Sequence, residues 1–318
     1  MTSTVSQSQS PQVEPANRNA RPLARRRKRR WLPSFETRMM LPAIIPLALL
    51  SLIPFGYIIW MSVSKVTLIG GVHLTGVGGA NWAKMFHDPA VLSSWRISAI
   101  YFIATVGIEM LLGVGIAILV HEHVVGRSLL VSILLMPMFV APVIVGLLGR
   151  FLTDSSFGLY SWMLRLIGFD TNILGRPGMA LVTVVALDVW EWTPLIMLIT
   201  LAGLSAVPPA LIEAASLDGA GYFKRFWYIV LPSISGVLVV ALLIRAMDAI
   251  RFFDIIWITT NGGPADATKI IPLRLYEIAF RFFDLGYAAA IGLSMLAFSI
   301  IVANLFVTLL EKKRGVAQ

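Results

Sequence analysis

Six long apolar segments constrain this chain more than any other feature of its sequence. Each is long enough to cross a bilayer as a helix, which takes about 20 apolar residues. The segments occupy residues 39–63, 97–120, 129–151, 179–203, 229–250 and 287–310. Charged residues make up only 14% of the chain, against about a quarter in soluble domains. The sequence therefore predicts an all-α membrane protein with six transmembrane helices.

The N-terminal tail, residues 1–38, sets the predicted orientation. It holds nine basic and two acidic residues, with a basic run at 25–30 just before the first apolar segment. Because Lys and Arg collect on the cytoplasmic side, both termini are predicted to lie inside. The first 24 residues are polar and are expected to be disordered. A nucleic-acid-binding arm is the less favoured interpretation of this charge.

This topology predicts three regions along the chain. Residues 1–38 form a disordered basic cytoplasmic tail, residues 39–312 form a six-span domain, and residues 313–318 form a second cytoplasmic tail. The connection between the fourth and fifth spans is cytoplasmic and is the most informative stretch. We call residues 207–221 of this connection the Glu-Ala-Ala loop.

The Glu-Ala-Ala loop has the composition of a short helix. Pro208 and Pro209 favour a helix start, and residues 210–217 are good helix formers. Gly219 and Gly221 can end the helix in a left-handed turn. Small side chains on its surface would let a partner approach closely. On this evidence alone, a docking helix at about 208–222 and an ordinary interfacial helix remain equally open.

The same stretch resembles the signature of binding-protein-dependent ABC importer permeases, Glu-Ala-Ala-x3-Gly-x9-Ile-x-Leu-Pro. The matching positions are Glu213, Ala214, Ala215, Gly219, Ile229, Leu231 and Pro232. The resemblance implies a type I importer permease fold, in which residues 213–221 form a coupling helix. That helix would insert into a separate ATPase subunit. The ATPase-coupling residues so implied are Glu213, Ala214, Ala215, Asp218 and Gly219.

Further motifs resemble the carbohydrate-uptake branch of that family, as in maltose-type and glycerol-3-phosphate-type importers. They are Asn81-Trp82 ahead of Asp88-Pro89, Trp190 with Pro194, Phe253-Asp254 with residues 260–264 (Thr-Asn-Gly-Gly-Pro), and residues 283–288. The implied substrate is a sugar or polyol. The implied partners are a second homologous permease, an ABC ATPase dimer that binds ATP and Mg²⁺, an extracytoplasmic solute-binding protein and the bilayer.

Five ionisable residues fall inside the predicted spans. They are Glu109, Asp188, Glu191, Arg245 and Asp248. Charges in a bilayer usually face a cavity or a partner, because burial among lipid tails is costly. Helical spacing places Asp188 and Glu191 on one face with Trp192. It likewise places Arg245 and Asp248 on a face with Phe252.

Two interpretations of these faces stay open. The charges and rings suit a sugar, whose hydroxyls need polar partners and whose C–H faces stack on rings. Alternatively, Arg245 only neutralises Asp248 or Asp188. Resemblance to maltose-type permeases implies the substrate-pathway residues Asp188, Trp190, Trp192, Asp248 and Phe252. Arg245 could also meet a phosphate, and Glu109 is expected to be a buried structural residue.

The sequence gives little sign of chemistry in this chain. It has no cysteine, no Gly-x4-Gly-Lys-Ser/Thr phosphate loop and no nucleophile elbow. His121-Glu122-His123 lacks a third ligand nearby in sequence, so a solvated loop is favoured over a metal site. We therefore expect no enzyme site, cofactor or metal here. Within the resembled family, an ABC permease for a phosphorylated or non-sugar solute is the alternative. Outside that family, a secondary transporter or channel is the main alternative function.

Overall fold

The computed structural model describes residues 35–123, 126–169 and 172–315. Most of the predicted tail lies outside these residues, and helix begins at Phe35, four residues before the predicted first span. Residues 1–52 separate from residues 53–318 as a unit, and the described part of the first unit is helical. The last helix continues to Gly315, past the predicted end of the six-span domain.

Thirteen α-helices form within the described residues. They are α1 (Phe35–Ser62), α2 (Ala80–His87), α3 (Pro89–His123), α4 (Arg127–Leu135), α5 (Pro142–Leu152), α6 (Leu159–Leu166), α7 (Pro177–Ser205), α8 (Pro209–Leu217), α9 (Tyr222–Arg225), α10 (Leu231–Ala249), α11 (Asp254–Thr259), α12 (Ile271–Phe280) and α13 (Leu285–Gly315). A 3₁₀ turn (Met136–Phe139) joins α4 to α5, and a π-helical turn (Phe226–Val230) joins α9 to α10.

Five helical segments are long and apolar enough to cross a membrane, and a bent pair adds a sixth. The five are Met39–Ser62, Pro89–His121, Pro177–Ser205, Tyr222–Ala249 and Leu285–Thr308. The predicted third span, residues 129–151, is not one continuous helix. It breaks into Arg127–Phe139 and Pro142–Leu152, which meet at 90°. Pro142 explains the break, because a proline holds the preceding Ala141 in extended backbone (ψ 136°) and starts a new helix.

A small β-hairpin follows α1 and departs from the all-α prediction. Strand β1 (Ser64–Thr67) pairs antiparallel with β2 (His73–Gly76), and Ser64 lies opposite Gly76. The sequence carries glycines at 70 and 71 between the strands, both with positive φ. These residues allow the turn, but the two strands are too short to stand out in an apolar sequence.

The core forms where α3 packs along α7, with α10 against both. Near one end, buried Ala117 and Val120 of α3 meet Met197 and Leu201 of α7. The helices approach so closely at Gly113 that a Cβ there would lie 2.7 Å from the side chain of Ile196. These three helices carry all the intramembrane charges that the sequence singled out.

The motifs at 81–89 and 283–288 lie together in the fold. Asn81 donates hydrogen bonds of 3.0 Å to the carbonyls of Ser62 and Ser64. The Tyr287 hydroxyl donates to Asp88 Oδ2 at 2.8 Å. Since Asp88 precedes α3 and Tyr287 lies in the first turn of α13, the two motifs join the starts of these helices. Burial alone would raise the pKa of Asp88, but the hydrogen bond from Tyr287 and two backbone amides hold it below its usual value.

Candidate functional site

A single buried guanidinium joins three helices. Arg245 of α10 donates from Nε to Glu109 Oε2 of α3 at 2.6 Å, and from Nη2 to Oε1 at 3.0 Å. Nη2 also donates to Asp188 Oδ2 of α7. Nη1 donates to Asp248 Oδ2, one turn along α10, at 3.2 Å. We call Glu109, Asp188, Arg245 and Asp248 the Arg245 network.

Burial differs sharply across the network. The side chains of Arg245, Glu109 and Asp188 are 0% exposed, whereas that of Asp248 is 30% exposed. Asp248 has a second cation, since Arg251 Nη2 lies 3.7 Å from its Oδ1. The network therefore meets the protein surface through Asp248 alone among its four members.

The two pairings that the sequence offered for Arg245, with Asp248 or with Asp188, occur together. Glu109 is buried, as expected, but it also makes the two-pronged contact with Arg245 that sequence reasoning missed. The partners are 136 residues apart, and no local spacing could reveal them. The signal that could have found the pair is charge balance: Arg245 is the one cation among the five intramembrane candidates, and it faces a surplus of acids.

Aromatic rings close one side of the network. The Trp192 ring centroid lies 5.3 Å from Arg245 Cζ, a cation–π distance. Phe252 meets Trp192 edge to face, with centroids 6.4 Å apart and planes at 86°. The structure therefore brings together four of the five predicted pathway residues, Asp188, Trp192, Asp248 and Phe252.

Trp190, the fifth predicted pathway residue, lies elsewhere. It is 49% exposed and lines two apolar grooves, one beside α3 and α4 and the other beside α5 and α6. Two residues along a helix are separated by about 200° around its axis, so Trp190 and Trp192 cannot share a face. The resemblance to maltose-type permeases implied both residues because it gives position along the chain and not the direction of a side chain.

Several buried polar atoms around this region make no hydrogen bond within the described protein. They are Glu191 Oε2, Trp192 Nε1, Thr193 Oγ1 and Thr200 Oγ1, all on α7. Glu191 is only 1% exposed, and Asp188, which the helical spacing places on the same face, is likewise buried. Most buried polar atoms in proteins are hydrogen-bonded, so this group gives α7 an unused capacity to bind hydroxyls or water.

The Glu-Ala-Ala loop folds as its composition predicts. Helix α8 begins at Pro209 after Pro208 and ends at Leu217. Gly219 has φ of +75°, and the amides of Gly219 and Ala220 donate to Ser216 and Ala215 carbonyls at 3.1 and 2.9 Å. This pattern is a Schellman motif, which satisfies the last carbonyls of a helix.

Gly221 departs from the prediction that it helps end α8 in a left-handed turn. Its φ is −66°, and it caps the N-terminus of α9 instead. The backbone therefore needs one left-handed residue here, and Gly219 supplies it. The Arg225 side chain then donates to the Ser216 hydroxyl, which joins α9 back to α8.

Helix α8 presents an uncovered surface. None of its residues is buried, and Leu217 is 90% exposed. Glu213, Ala214, Asp218 and Gly219 are exposed, and Ala215 is half-buried. Within the described residues Glu213 forms no ion pair. An isolated helix this short is only marginally stable in water. The exposed apolar, small and acidic residues of α8 are suited to contact with another protein.

The described residues contain no group of three or more His, Cys, Asp or Glu side chains arranged to hold a metal ion. His121 lies near the end of α3, and the side chains of its two neighbours in the sequence motif lie outside the described part of the protein. The site in the described protein consists of ion pairs, aromatic rings and hydrogen-bonding groups.

Comparison with known proteins agrees with this architecture. Residues 109–316 match the family described as binding-protein-dependent transport system inner membrane component. The trehalose/maltose transport system permease protein MalF of Thermococcus litoralis is 34% identical over 268 residues, which cover 83% of this chain and 89% of that protein. The sn-glycerol-3-phosphate transport system permease protein UgpA of Yersinia pestis bv. Antiqua (strain Antiqua) is 33% identical over 263 residues, covering 82% and 87%.

Solved structures match the fold. A chain of a bacterial ABC transporter involved in the import of the acidic polysaccharide alginate superposes with a TM-score of 0.75 at 20% identity, over 86% of this chain and 94% of that one. With the family match over residues 109–316, the shared fold and the apolar helices, this chain belongs to the binding-protein-dependent transport system inner membrane components, the multi-pass permeases of ABC importers.

Proposed function

We propose that this chain moves a sugar or related polyol across the membrane as one permease of an ATP-driven importer. The observation that carries the proposal is α8, an exposed helix between two spans that is followed by a left-handed Gly219. Its Glu213 has no ion-pair partner among the residues that the structure describes. Relatives named for trehalose/maltose and for sulfoquinovosyl glycerol transport support the solute class. The solute would cross unchanged, and this chain would not be an enzyme.

The Glu-Ala-Ala loop would couple the spans to a separate ATPase dimer. Ala214 and Ala215 allow close approach, Leu217 offers an apolar contact, and Glu213 offers a charge to a basic partner residue. The hydrogen bond from Arg225 to Ser216 joins α8 to α9, which continues through the π-helical turn into α10. Movement of α8 would therefore pass to the helix that carries Arg245. In this proposal ATP and Mg²⁺ belong to the ATPase chains, and both termini face the same cytoplasmic side.

The solute would pass Asp248, the partly exposed member of the Arg245 network, whose partner Arg245 lies under the Trp192 ring. The Asp248 carboxylate accepts hydrogen bonds from hydroxyls, and aromatic rings stack on the C–H faces of sugars. Asp188 would act from behind this surface, by holding Arg245. Trp190 would line a separate groove. The other wall would come from a second permease, and a solute-binding protein would deliver the solute, as the family description and an alginate importer solved with its periplasmic protein suggest.

A phosphorylated solute is the second candidate, because a glycerol-3-phosphate permease is 33% identical to this chain. A secondary transporter is the third candidate and has the least support, since its transport cycle does not require a docking helix such as α8. These candidates differ in what drives transport and in what is transported.

Uptake into proteoliposomes tests the proposal. Vesicles would hold either this chain alone or the full set of two permeases and two ATPases, with ATP inside and the solute-binding protein outside. We expect uptake of a labelled sugar or polyol only with the full set and only with ATP. Uptake by the chain alone, driven by an ion gradient, would instead establish a secondary transporter.

A further inference from the structure

An apolar cavity opens between the first halves of α3 and α13. Its volume is about 250 Å³, and no charged side chain lines it. Trp95, Ala99 and Ile103 form the wall from α3, and Phe298 forms the wall from α13. The Trp95 and Phe298 rings meet edge to face, with centroids 5.4 Å apart and planes at 68°, so they bridge the two helices.

The floor of this cavity belongs to the protein core. Ala249 and Ile250, at the end of α10, line it and are 4% and 8% exposed. Ile271 of α12 completes the floor, and its amide donates to the Ser98 hydroxyl oxygen at 2.7 Å. Because Ser98 is already engaged, a molecule in the cavity would meet mainly apolar groups.

The open side of the cavity faces lipid. Ile103 is 69% exposed and Phe298 is 39% exposed. Both lie within segments that can span a membrane, Pro89–His121 and Leu285–Thr308. Exposed side chains at this depth contact acyl chains, since the hydrocarbon region holds no water. One turn of a helix about 10 Å across would fill about 400 Å³ and does not fit the cavity, whereas a single acyl chain does.

A cation lies beside the mouth of the cavity. Arg96 is exposed and forms no ion pair with any residue that the structure describes. Helical spacing places it on one face of α3 with Ala99 and Ile103. Helical side chains lean toward the N-terminus, so Arg96 extends toward the start of α3, where the exposed Lys84–Asp284 ion pair of 2.9 Å meets water. Arg96 therefore lies between water and hydrocarbon, at the level of lipid headgroups.

We propose that the groove between α3 and α13 binds one phospholipid, with its phosphate on Arg96 and one acyl chain in the cavity. A guanidinium matches the geometry of a phosphate, and tryptophans such as Trp95 are frequent at membrane interfaces. The bound chain would contact Ala249, the neighbour of Asp248 in α10, and so support the packing beside the Arg245 network. With both termini predicted to lie inside, this lipid belongs to the extracytoplasmic leaflet.

Photo-crosslinking of the complete complex tests the proposal. The complex of two permeases and two ATPases would be held in micelles of a phosphate-free detergent. Phosphatidylglycerol with a diazirine midway along one acyl chain would then be added at low ratio. We expect mass spectrometry to find the label concentrated at residues 98–103 and at Phe298 of this chain. Equal labelling of every exposed face of the spans, including Leu111 at 76% exposure, would overturn the proposal.

Ala99→Phe tests the acyl-chain part of the site. The added ring fills the cavity, so most of the labelling at residues 98–103 and Phe298 should be lost. Leu111→Phe is the matched control, because it also enlarges an exposed side chain of α3 but lies outside the cavity lining. Labelling that survives Ala99→Phe unchanged, in a complex that elutes like wild type, would contradict the proposal.

Arg96→Gln tests the phosphate part, and this exposed change should fold even if Ala99→Phe does not. Labelling by phosphatidylglycerol should fall about two- to fivefold, as expected for loss of one exposed ion pair. Labelling by a diacylglycerol with the same diazirine chain should not change. Equal labelling of variant and wild type by phosphatidylglycerol would overturn the assignment of phosphate to Arg96. Competition by excess free glycerol 3-phosphate would show a site for soluble phosphates and would also overturn it.

Discussion

The Glu-Ala-Ala loop and the Arg245 network differ in how far apart their contacts lie along the chain. The loop is held by bonds that span three to nine residues, and its surface is exposed. The bonds between helices in the network span 57 and 136 residues, and only the bond to Asp248 is local; three of the four side chains are fully buried. The first region therefore suits contact with a partner, and the second holds the spans to one another.

This difference predicts that substitutions in the two regions act on different properties. A change in the network should lower stability first, because it leaves charges unpaired in the interior. A change in the loop should leave stability nearly intact and disturb coupling.

Arg245→Met should have the largest effect. It would leave Glu109 and Asp188 buried without their cation, and breaking a buried ion pair in this way costs about 3–5 kcal/mol. We expect a low yield of folded chain and a much lower unfolding midpoint, measured by size-exclusion chromatography after heating. Arg251→Gln is the matched control, since that exposed side chain should change stability by less than about 0.5 kcal/mol. Equal midpoints for the two variants would contradict a structural role for the network.

Gly219→Ala should have a moderate and local effect. With φ of +75° at Gly219, a Cβ is strained even though no atom lies within 4 Å of it. Left-handed backbone costs a residue other than glycine about 1–2 kcal/mol. Gly221→Ala is the control, because its φ is −66° and its Cβ would also meet open space. Hydrogen exchange at the amides of Gly219 and Ala220 should rise in the first variant only.

Faster exchange in both variants would show that the turn depends on flexibility and not on the left-handed conformation. Unchanged exchange in both would show that the Schellman bonds do not hold the end of α8.

The turn between α11 and α12 should show the smallest effect, since its contacts are local but only half-buried. Asp266 accepts from Lys269 Nζ and Arg274 Nη2, each at 2.6 Å. Burial raises the pKa of Asp266, but these two hydrogen bonds outweigh it and hold the pKa below its usual value. A lowered folded-state pKa gives stability that is present at neutral pH and lost as pH falls below about 4.

Asp266→Asn should therefore lower the free energy of unfolding slightly at pH 7, by less than about 1 kcal/mol because the side chain is 47% exposed. The difference from wild type should shrink as pH is lowered from 5 to 3, followed by thermal unfolding at each pH. A difference that is constant with pH would mean that the charge of Asp266 contributes nothing.

The contrast in contact range also explains what could be predicted from the sequence. Apolar length predicted the spans, and Pro209 and Gly219 predicted both ends of α8, because these signals are local. Asp188, Glu191 and Trp192 were placed on one face by helical spacing. The bidentate Glu109–Arg245 pair and the junction of Asp88 with Tyr287 could not be predicted, since they depend on how helices pack. The break at Pro142 was missed because prolines are also tolerated within spans, as Pro194 is within α7.

Helix α8, in our central proposal, couples this permease to its ATPases. The most direct measurement is the ATPase activity of the co-purified complex in nanodiscs with the loaded binding protein, comparing wild type with Glu213→Lys combined with Gly219→Asp. Lys65→Glu, an exposed change in the β-hairpin, is the control for charge alteration. The account predicts that the double variant folds but assembles poorly or loses stimulation, while the control keeps it. Full stimulation of the double variant would contradict the claim.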